Sequence, residues 1–181
     1  MPELWKPNVT VAAIVEGHGS RTNRYLMVEE ETRHGLRINQ PAGHLEPDES
    51  LVAAVIRETL EETAHPFTPR GLLGIYLSRS TRTRRDEPEE AVTYLRFAFV
   101  GTVDDAIEGR ALDEGIVRAL WMTLDEVRNS RERHRSAMVM RCVVDHARDR
   151  ASGKSFASLD TLIADASALG AAERNLMQAP S

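Results

Sequence analysis

The amino-acid sequence predicts a mixed α/β fold in which strands and helices do not alternate regularly. Three observations support this class: a buried-strand pattern at Val9–Val15, a long helical pattern at Glu49–Thr63, and further strands followed by closing helices. A regular βαβ protein would instead repeat strand and helix in pairs. The 181 residues show no internal repeat and no long linker, which predicts one domain over 1–181 with a helical extension from about residue 156.

The other elements follow from periodicity and from residues that end helices and strands. Alternating or apolar runs predict strands at Arg24–Glu30, Gly35–Asn39, Leu72–Ser78, Ala91–Val103 and Ile116–Met122. Apolar spacing near 3.6 residues predicts helices beginning at Leu124 (capped by Thr123) and spanning Ser136–Arg150 and Ser158–Ala172. Loops are predicted at Pro41–Asp48, where Asp48 is the expected N-cap of the Glu49–Thr63 helix, and at Ser80–Glu90.

Composition excludes several classes of protein. The formal net charge of −5 disfavours a broad nucleic-acid surface, which is usually basic. No apolar run approaches the roughly 20 residues that span a bilayer, and the start of the chain lacks a basic signal-peptide region, so a cytoplasmic protein is expected. The single cysteine, Cys142, excludes an intrachain disulfide and lies in an apolar stretch, where a buried and unreactive thiol is expected.

The segment RETLEET, Arg57–Thr63, gathers three glutamates on one face of the predicted helix. At 100° per residue, Glu61 and Glu62 fall within about 60° of Glu58. The opposite face of the C-terminal half carries an apolar row formed by Val52, Ile56 and Leu60. The first turns also carry apolar residues on the glutamate side, which predicts that they are covered on two sides.

The acidic face has two interpretations, a solvated surface or a site for a cation. Like charges at this spacing cost only about 0.2–0.5 kcal/mol per exposed pair, so energy alone does not require a cation. The flanking residues decide the matter, because Gly43, Glu49 and Arg57 complete the pattern G-x5-E-x7-R-E-x-x-E-E. At roughly 7% per specified residue, six matches in one register occur by chance about once in 10⁷ windows.

This segment, GHLEPDESLVAAVIRETLEETAH from Gly43 to His65, resembles the Nudix box. The resemblance implies a Nudix-like α/β/α sandwich with a loop–helix–loop motif that hydrolyses phosphoanhydrides with Mg²⁺, or Mn²⁺ as an alternative. It implies that Glu58, Glu61 and Glu62 are the metal ligands, that Glu49 and Arg57 brace the helix and orient Glu58, and that Gly43 lets the backbone pass close to the metal. Hard cations prefer such oxygen ligands, and the loop before Glu49 leads to a helix N-terminus that suits an anion.

Three positions of the box depart from the family pattern. Thr59 and His65 replace aliphatic residues, and Ala64 replaces a glycine. If that glycine serves a left-handed helix end, alanine costs about 1 kcal/mol there. None of the three supplies a charge or a ligand, so they bear on stability and on the exit of the helix rather than on the metal site.

Segments outside the box resemble one group within the family, the NudJ-type phosphatases. They are KPNVTVAAIV near the start, NQPAGHLE before the helix and YLRFAF on the long strand. That likeness implies Mg²⁺-dependent release of orthophosphate from nucleoside tri- and diphosphates and from hydroxymethylpyrimidine diphosphate. Two alternatives remain open: hydrolysis of ADP-ribose or another nucleoside diphosphate sugar, and a non-catalytic ligand-binding module. The expected partner is a small phosphorylated substrate, and the chain is a monomer or a homodimer.

Several further residues have two interpretations each. Arg79, Arg82, Arg84 and Arg85 reach a terminal phosphate or face the acidic residues of their own loop, and the second is favoured. Asp113 and Glu114 supply an extra carboxylate or lie in a solvated turn. Trp121 is expected in the core rather than as a stacking platform, and His44 is expected to face solvent or backbone. Glu61 is the preferred general base.

Overall fold

A computed structural model describes residues 5–82, 90–171 and 173. Seven strands form among these residues: β1 Asn8–Val15, β2 Arg24–Thr32, β3 Gly35–Asn39, β4 Ala42–His44, β5 Phe67–Arg82, β6 Glu90–Val103 and β7 Ile116–Thr123. The helices are α1 Leu51–Thr63, α2 Leu124–Asn129 and α3 Ala137–Ala151.

The strands form two sheets. One has the order β4-β1-β6-β5, with β1 parallel to β6 and every other pair antiparallel. The other is antiparallel in the order β3-β2-β7. The mixed pairing confirms the predicted class, because parallel β1 and β6 are joined by several elements rather than by one crossover helix.

Successive side chains of β1 enter two different cores. Val11, Ala13 and Val15 pack with Ala54 and Val55 of α1. The alternate residue Ile14 faces the other side of the sheet, where it and Met27 of β2 pack with Val139, Cys142 and Val143 of α3. Because side chains alternate across a strand, α1 covers one face of the sheets and α3 covers the other, as an α/β/α sandwich requires.

Helix α1 begins two residues later than predicted, and its N-cap is Ser50 rather than Asp48. Ser50 Oγ accepts a hydrogen bond of 3.1 Å from the Ala53 N–H. Asp48 has a φ of 67° and lies outside the helix. The helix ends at Ala64, which adopts a left-handed conformation with a φ of 59°. Alanine therefore replaces the usual glycine at a helix end whose left-handed backbone is unfavourable for a residue with a Cβ atom.

Two predicted loops are shorter than expected. Within Pro41–Asp48, strand β4 forms because Val11 and Thr10 of β1 pair with Gly43 and His44. Strand β5 begins at Phe67 and continues through Ser80 to Arg82, so part of the predicted Ser80–Glu90 loop is strand. Its pairing with β6 is shifted between Pro69 and Gly71, which accommodates a proline in an edge strand.

The predicted helix at Ser158–Ala172 is wrong. Two short 3₁₀ turns, Leu159–Thr161 and Ala166–Ala168, occupy the segment instead. Side chains cap these turns locally, and the segment then reaches the loop before α1, where the Gly170 N–H donates to Asp48 O over 2.7 Å. The buried Leu169 anchors this path. Tertiary contacts therefore override the helix-favouring alanines.

Three predictions for this part of the chain agree with the structure: helix α3, the cap at Thr123 and the buried Cys142. Thr123 caps α2 through a capping box with Glu126, and Ser136 caps α3. Cys142 is buried, and burial raises the pKa of its thiol to about 11, which leaves it protonated and unreactive near neutral pH. None of the described helices is long and apolar enough to cross a membrane.

Buried His146 gives the protein a predicted sensitivity to mild acid. Burial, reinforced by Arg150, lowers the pKa of His146 to about 4, and its Nδ1 lies 3.0 Å from the Tyr25 hydroxyl. Between about pH 6.5 and this value His146 binds more protons in the unfolded chain than in the folded one, so its contribution to stability falls as pH falls. We expect His146 to contribute a loss of about 2 kcal/mol between pH 7 and pH 5, measured by urea unfolding as the difference between the unsubstituted protein and His146→Gln.

The matched variants are His146→Gln and His34→Gln, since His34 is exposed. The first should lose this part of the pH dependence and the second should keep it. An unchanged slope in His146→Gln would contradict the assignment.

Candidate active site

Arg57 connects the carboxylates that the sequence pattern selects. Its Nε and Nη2 donate to the two oxygens of Glu49 over 3.0 and 2.7 Å, a bidentate pairing. Its Nη1 donates to Glu58 over 2.9 Å and to Glu61 over 3.0 Å. Nη2 also donates to the carbonyl oxygen of His44 over 3.1 Å. One guanidinium thus joins the loop before α1 to the acidic side of the helix.

The electrostatics follow from these contacts. The hydrogen bond to Glu49 is the main cause that raises the pKa of Arg57, so the guanidinium stays charged. Burial alone would raise the pKa of Glu49, but hydrogen bonds from Arg57 and from the Glu46 N–H lower it overall. The Glu49–Arg57 pair is therefore ionised and rigid.

Gly43 lies directly against the carboxylate of Glu58. A Cβ atom at position 43 would overlap the carboxyl carbon and both oxygens of Glu58. The backbone of β4 and the end of this side chain are consequently in contact, which no other residue type permits in this arrangement. The side chain of Glu58 is only 12% exposed.

Glu62 is the most strongly perturbed carboxyl group of the three. Its pKa is raised to about 8, mainly by burial. A hydrogen bond from Ala42 lowers the pKa, and the nearby carboxylates of Glu58, Glu30 and Asp113 raise it. That bond runs from the Ala42 N–H to Glu62 Oε2 over 2.8 Å. Burial is also the main cause that raises the pKa of Glu58.

The predicted apolar row of α1 is wrong in part. Ile56 is 36% exposed, whereas the fully buried positions are Ala54, Val55 and Thr59. The glutamates therefore lie beside the buried side of the helix and not opposite to it. The hydroxyl of Thr59 donates to Val55 O over 2.7 Å, which explains how a polar residue fits in this row. Partial burial of like charges makes a merely solvated acidic face untenable.

The acidic side chains are near one another without forming a ready metal cage. Glu58 and Glu61 turn towards Arg57, and Glu62 turns towards the Ala42 N–H. Within the described ranges, no three His, Cys, Asp or Glu side chains converge as a metal-binding group. The arrangement supplies the carboxylate oxygens of three glutamates. Two of these groups, Glu58 and Glu62, are desolvated and have raised pKa values.

The loop residues considered in the sequence analysis differ in their contacts and exposure. The Asp113 N–H donates to Glu61 O over 3.0 Å, and its carboxylate is close enough to raise the pKa values of Glu58 and Glu62. Glu114 is exposed. Arg84 and Arg85 lie outside the described residues, and for Arg82 only the backbone is described.

Trp121 packs against the core beside α1, as predicted, but it is not wholly internal. The guanidinium carbon of Arg21 lies 5.1 Å from the centre of its ring, and His65 meets the ring edge-on at 6.1 Å. His65 is itself buried, and its Nδ1 lies 2.6 Å from Asp104 O. The unusual His65 of the box therefore serves packing.

A cavity of about 410 Å³ opens next to β4, whose Gly43 lies against the Glu58 carboxylate. Its wall includes Ala42, Gly43 and His44 of β4, and it extends between β1, β6 and the first turn of α3. Arg79 lines it, as does His44, whose ring centre lies 6.2 Å from that of Tyr94. A volume of this size is within the range of small-molecule sites.

Sequence reasoning did not select four polar residues that line this cavity: Thr10, Glu30, Asn39 and Arg96. The only signal in the sequence is the charged Arg96 at the centre of the apolar strand YLRFAF. The others could not be chosen, because they come from β1, β2 and the end of β3 and meet only in the folded chain.

Comparisons with known proteins agree with the fold and with the motif. A family model described as the NUDIX domain matches residues 6–142. The Escherichia coli phosphatase NudJ is 32% identical over 124 residues, which cover 68% of this chain and 73% of that protein. A solved structure of a NUDIX hydrolase from Nitrosomonas europaea shares 45% identity with a TM-score of 0.73, and the match covers 88% of this chain and 98% of that one.

A more distant structure shares the fold alone. It is the NUDIX domain of Shewanella oneidensis NrtR in complex with ADP-ribose, 16% identical with a TM-score of 0.61, and the match covers 82% of this chain and 90% of that one. The chain belongs to the Nudix family and is a Nudix hydrolase.

Proposed function

We propose that this enzyme releases orthophosphate from nucleoside tri- and diphosphates and from hydroxymethylpyrimidine diphosphate, in a reaction that depends on Mg²⁺ or Mn²⁺. The observation that carries the proposal is the contact network in which Arg57 joins Glu49, Glu58 and Glu61 beside Gly43. The choice of a phosphatase rests on the 32% identity to NudJ.

The donor set fits a hard divalent cation. Glu58 and Glu62 are desolvated carboxyl groups whose pKa values neighbouring carboxylates also raise, Glu61 acting on Glu58 and Glu58 acting on Glu62. An ion of opposite charge would offset the cost of desolvation and the repulsion between these groups. We assign Glu58, Glu61 and Glu62 as its ligands. When bound, such an ion neutralises the charge on phosphate oxygens and increases the acidity of a water molecule.

The residues of the chain have distinct roles in this proposal. Arg57 and Glu49 hold Glu58 against β4, where Gly43 leaves room for the carboxylate. Glu61, whose side chain is 31% exposed, is more accessible than Glu58 and accepts the proton of the attacking water at its carboxylate. The cavity next to Gly43 and His44 receives the remainder of the substrate.

A second candidate is a pyrophosphatase acting on ADP-ribose or another nucleoside diphosphate sugar. The ADP-ribose complex of the distantly related Shewanella NUDIX domain is the observation behind it. A third, a non-catalytic ligand-binding module, is opposed by the presence of all the box carboxylates. A cytoplasmic location and a monomeric or homodimeric state remain predictions.

The decisive experiment measures orthophosphate release from a substrate panel with Mg²⁺ and with EDTA. The panel contains nucleoside tri- and diphosphates, hydroxymethylpyrimidine diphosphate and ADP-ribose. We expect release from the first three that EDTA abolishes, and we expect Glu58→Gln, Glu61→Gln and Glu62→Gln each to lower kcat at least about a hundredfold. The exposed Glu108 provides the control variant Glu108→Gln, which should keep full activity.

Other outcomes select other functions. Turnover of ADP-ribose alone, detected after an added phosphatase has acted on its products, would establish the second candidate. Stoichiometric binding with no metal-dependent turnover of any substrate would establish the third.

A further inference from the structure

Four residues that line the cavity next to β4 each have a buried polar atom without a hydrogen-bond partner. Across residues 5–82 and 90–171, six buried side-chain atoms lack a hydrogen-bond partner, and four of them belong to residues that line this one cavity. They are Thr10 Oγ1, Glu30 Oε1, Asn39 Oδ1 and Arg96 Nη1. Since an unpaired buried polar atom costs about 1–3 kcal/mol, four around one cavity indicate atoms that bind a ligand.

The positions of these atoms are fixed by the surrounding fold. Arg96 and Thr10 face each other across the parallel β6–β1 pair, so their side chains rise from the same face of the sheet. Glu30 is held by Arg135, whose Nε lies 3.3 Å from Glu30 Oε2, which leaves Oε1 as the unpaired oxygen. Asn39 ends β3 beside β2, the strand that carries Glu30. The site is therefore assembled from ordered strands.

The chemistry of the four atoms disfavours a phosphate at this place. Glu30 Oε1 and Asn39 Oδ1 accept hydrogen bonds only, and phosphate oxygens next to them would meet acceptors and a negative charge. Arg96 Nη1 is a donor, and the Thr10 hydroxyl can donate or accept. A neutral group with an N–H₂ donor next to an acceptor atom satisfies the whole set.

Such a group is the polar edge of an amino-substituted nitrogen heterocycle. Cytosine, adenine and aminopyrimidines all carry an amino group beside a ring nitrogen, whereas uracil and hypoxanthine carry a carbonyl oxygen beside a ring N–H. In the second type the donors and acceptors are interchanged, so its oxygen would meet Glu30 Oε1.

We propose that this cavity binds the amino-substituted ring of the substrate, with Glu30 and Asn39 accepting from its amino group and Arg96 donating to the adjacent ring nitrogen. Thr10 completes the polar lining. The proposal deepens the proposed function and rests on it for the position of the phosphates, which lie at the Gly43 and His44 end beside the glutamates.

The test is calorimetric binding of four nucleoside monophosphates to the full chain: CMP against UMP, and AMP against IMP. Each pair differs in the amino or oxo group at one ring position, and none contains a phosphoanhydride bond, so the result does not depend on turnover. We expect CMP and AMP to bind at least about tenfold more tightly than their partners.

The variant Glu30→Gln identifies the residue responsible. Arg135 is a donor and will hold the amide oxygen of the new side chain, which turns its N–H₂ towards the cavity. The preference for CMP over UMP should therefore fall at least about fivefold or reverse. The control is Glu31→Gln, since Glu31 is exposed and adjacent on the same strand, and its preference should be unchanged. Arg96→Lys provides an independent variant that should weaken binding of CMP and AMP about tenfold.

The outcomes separate this inference from the proposed function. Equal binding of the partners, tighter binding of UMP and IMP, or no binding of any monophosphate would overturn the inference, even if the enzyme hydrolyses the substrate panel. Selective binding of CMP and AMP with no hydrolysis of the panel would support the inference while overturning the proposed phosphatase activity.

Discussion

Gly43→Ala is expected to lower kcat about a hundredfold while leaving the protein folded. The new methyl group would overlap the carboxylate of Glu58. Because that carboxylate ends a flexible side chain, the folded protein can relieve the overlap by rotating Glu58, at a small cost in stability. A displacement of about 1 Å at a catalytic group is enough for a hundredfold loss of rate. Steady-state kinetics and thermal unfolding of the same variant measure the two effects.

Gly74→Ala is the matched control for this substitution. Gly74 lies in β5 of the same sheet, and an added Cβ there would come no closer than 3.3 Å to its nearest neighbour, the Tyr76 ring. We expect almost normal kcat and stability. Normal kcat in Gly43→Ala would show that Glu58 is not held at β4 in the active enzyme.

Arg57→Gln is expected to produce the largest loss of stability among the residues of the box, about 2–3 kcal/mol. The guanidinium is 24% exposed and contacts three carboxylates, of which Glu49 and Glu58 are only 14% and 12% exposed. Removing it leaves these negative charges close together without compensation, a situation that costs about 3–5 kcal/mol for fully buried pairs and less here. The free energy of unfolding in urea, measured near neutral pH without metal, gives the value.

Arg128→Gln tests whether any arginine on a helix would behave in this way. Arg128 pairs with Asp125 over 3.0 Å on α2, but the two side chains are 52% and 82% exposed. Such a pair contributes less than about 1 kcal/mol, so the control should lose little stability. Equal losses in the two variants would contradict the central role of Arg57.

The box motif shows what a local pattern can determine. Gly43, Glu49, Arg57 and the three glutamates were selected because their spacing resembles the Nudix box, and in the structure Arg57 contacts Glu49, Glu58 and Glu61. Arg57 and Glu61 are four residues apart, so helical geometry alone makes them neighbours. Glu49 lies before α1, and its contact with Arg57 depends on the path of the preceding loop. The cap at Thr123 was likewise predicted from the local sequence and is confirmed.

The orientation of α1 was decided by the tertiary structure. The helical wheel gives two apolar sides in the first turns, and the sequence does not state which of them meets the sheet. Packing on β1 selects Ala54, Val55 and Thr59, which places the glutamates beside the buried side and raises the pKa of Glu62 to about 8. The perturbation of the site therefore arises from burial, which depends on residues distant in sequence.

The C-terminal segment and the cavity illustrate the same limit. Alanines after Ser158 favour a helix locally, but contacts such as that of Gly170 with Asp48 hold the segment in turns. Arg96 and Thr10 are 86 positions apart in the printed sequence and become neighbours through the parallel pairing of β1 with β6. The sequence by itself determined the class of fold, because periodicity within short segments indicates strands and helices, and its Gly43–His65 segment identified the candidate site through its resemblance to the Nudix box. The tertiary structure alone decided which side of the helix is buried and which polar atoms meet in the cavity, because strand pairing and packing join residues that no local pattern relates.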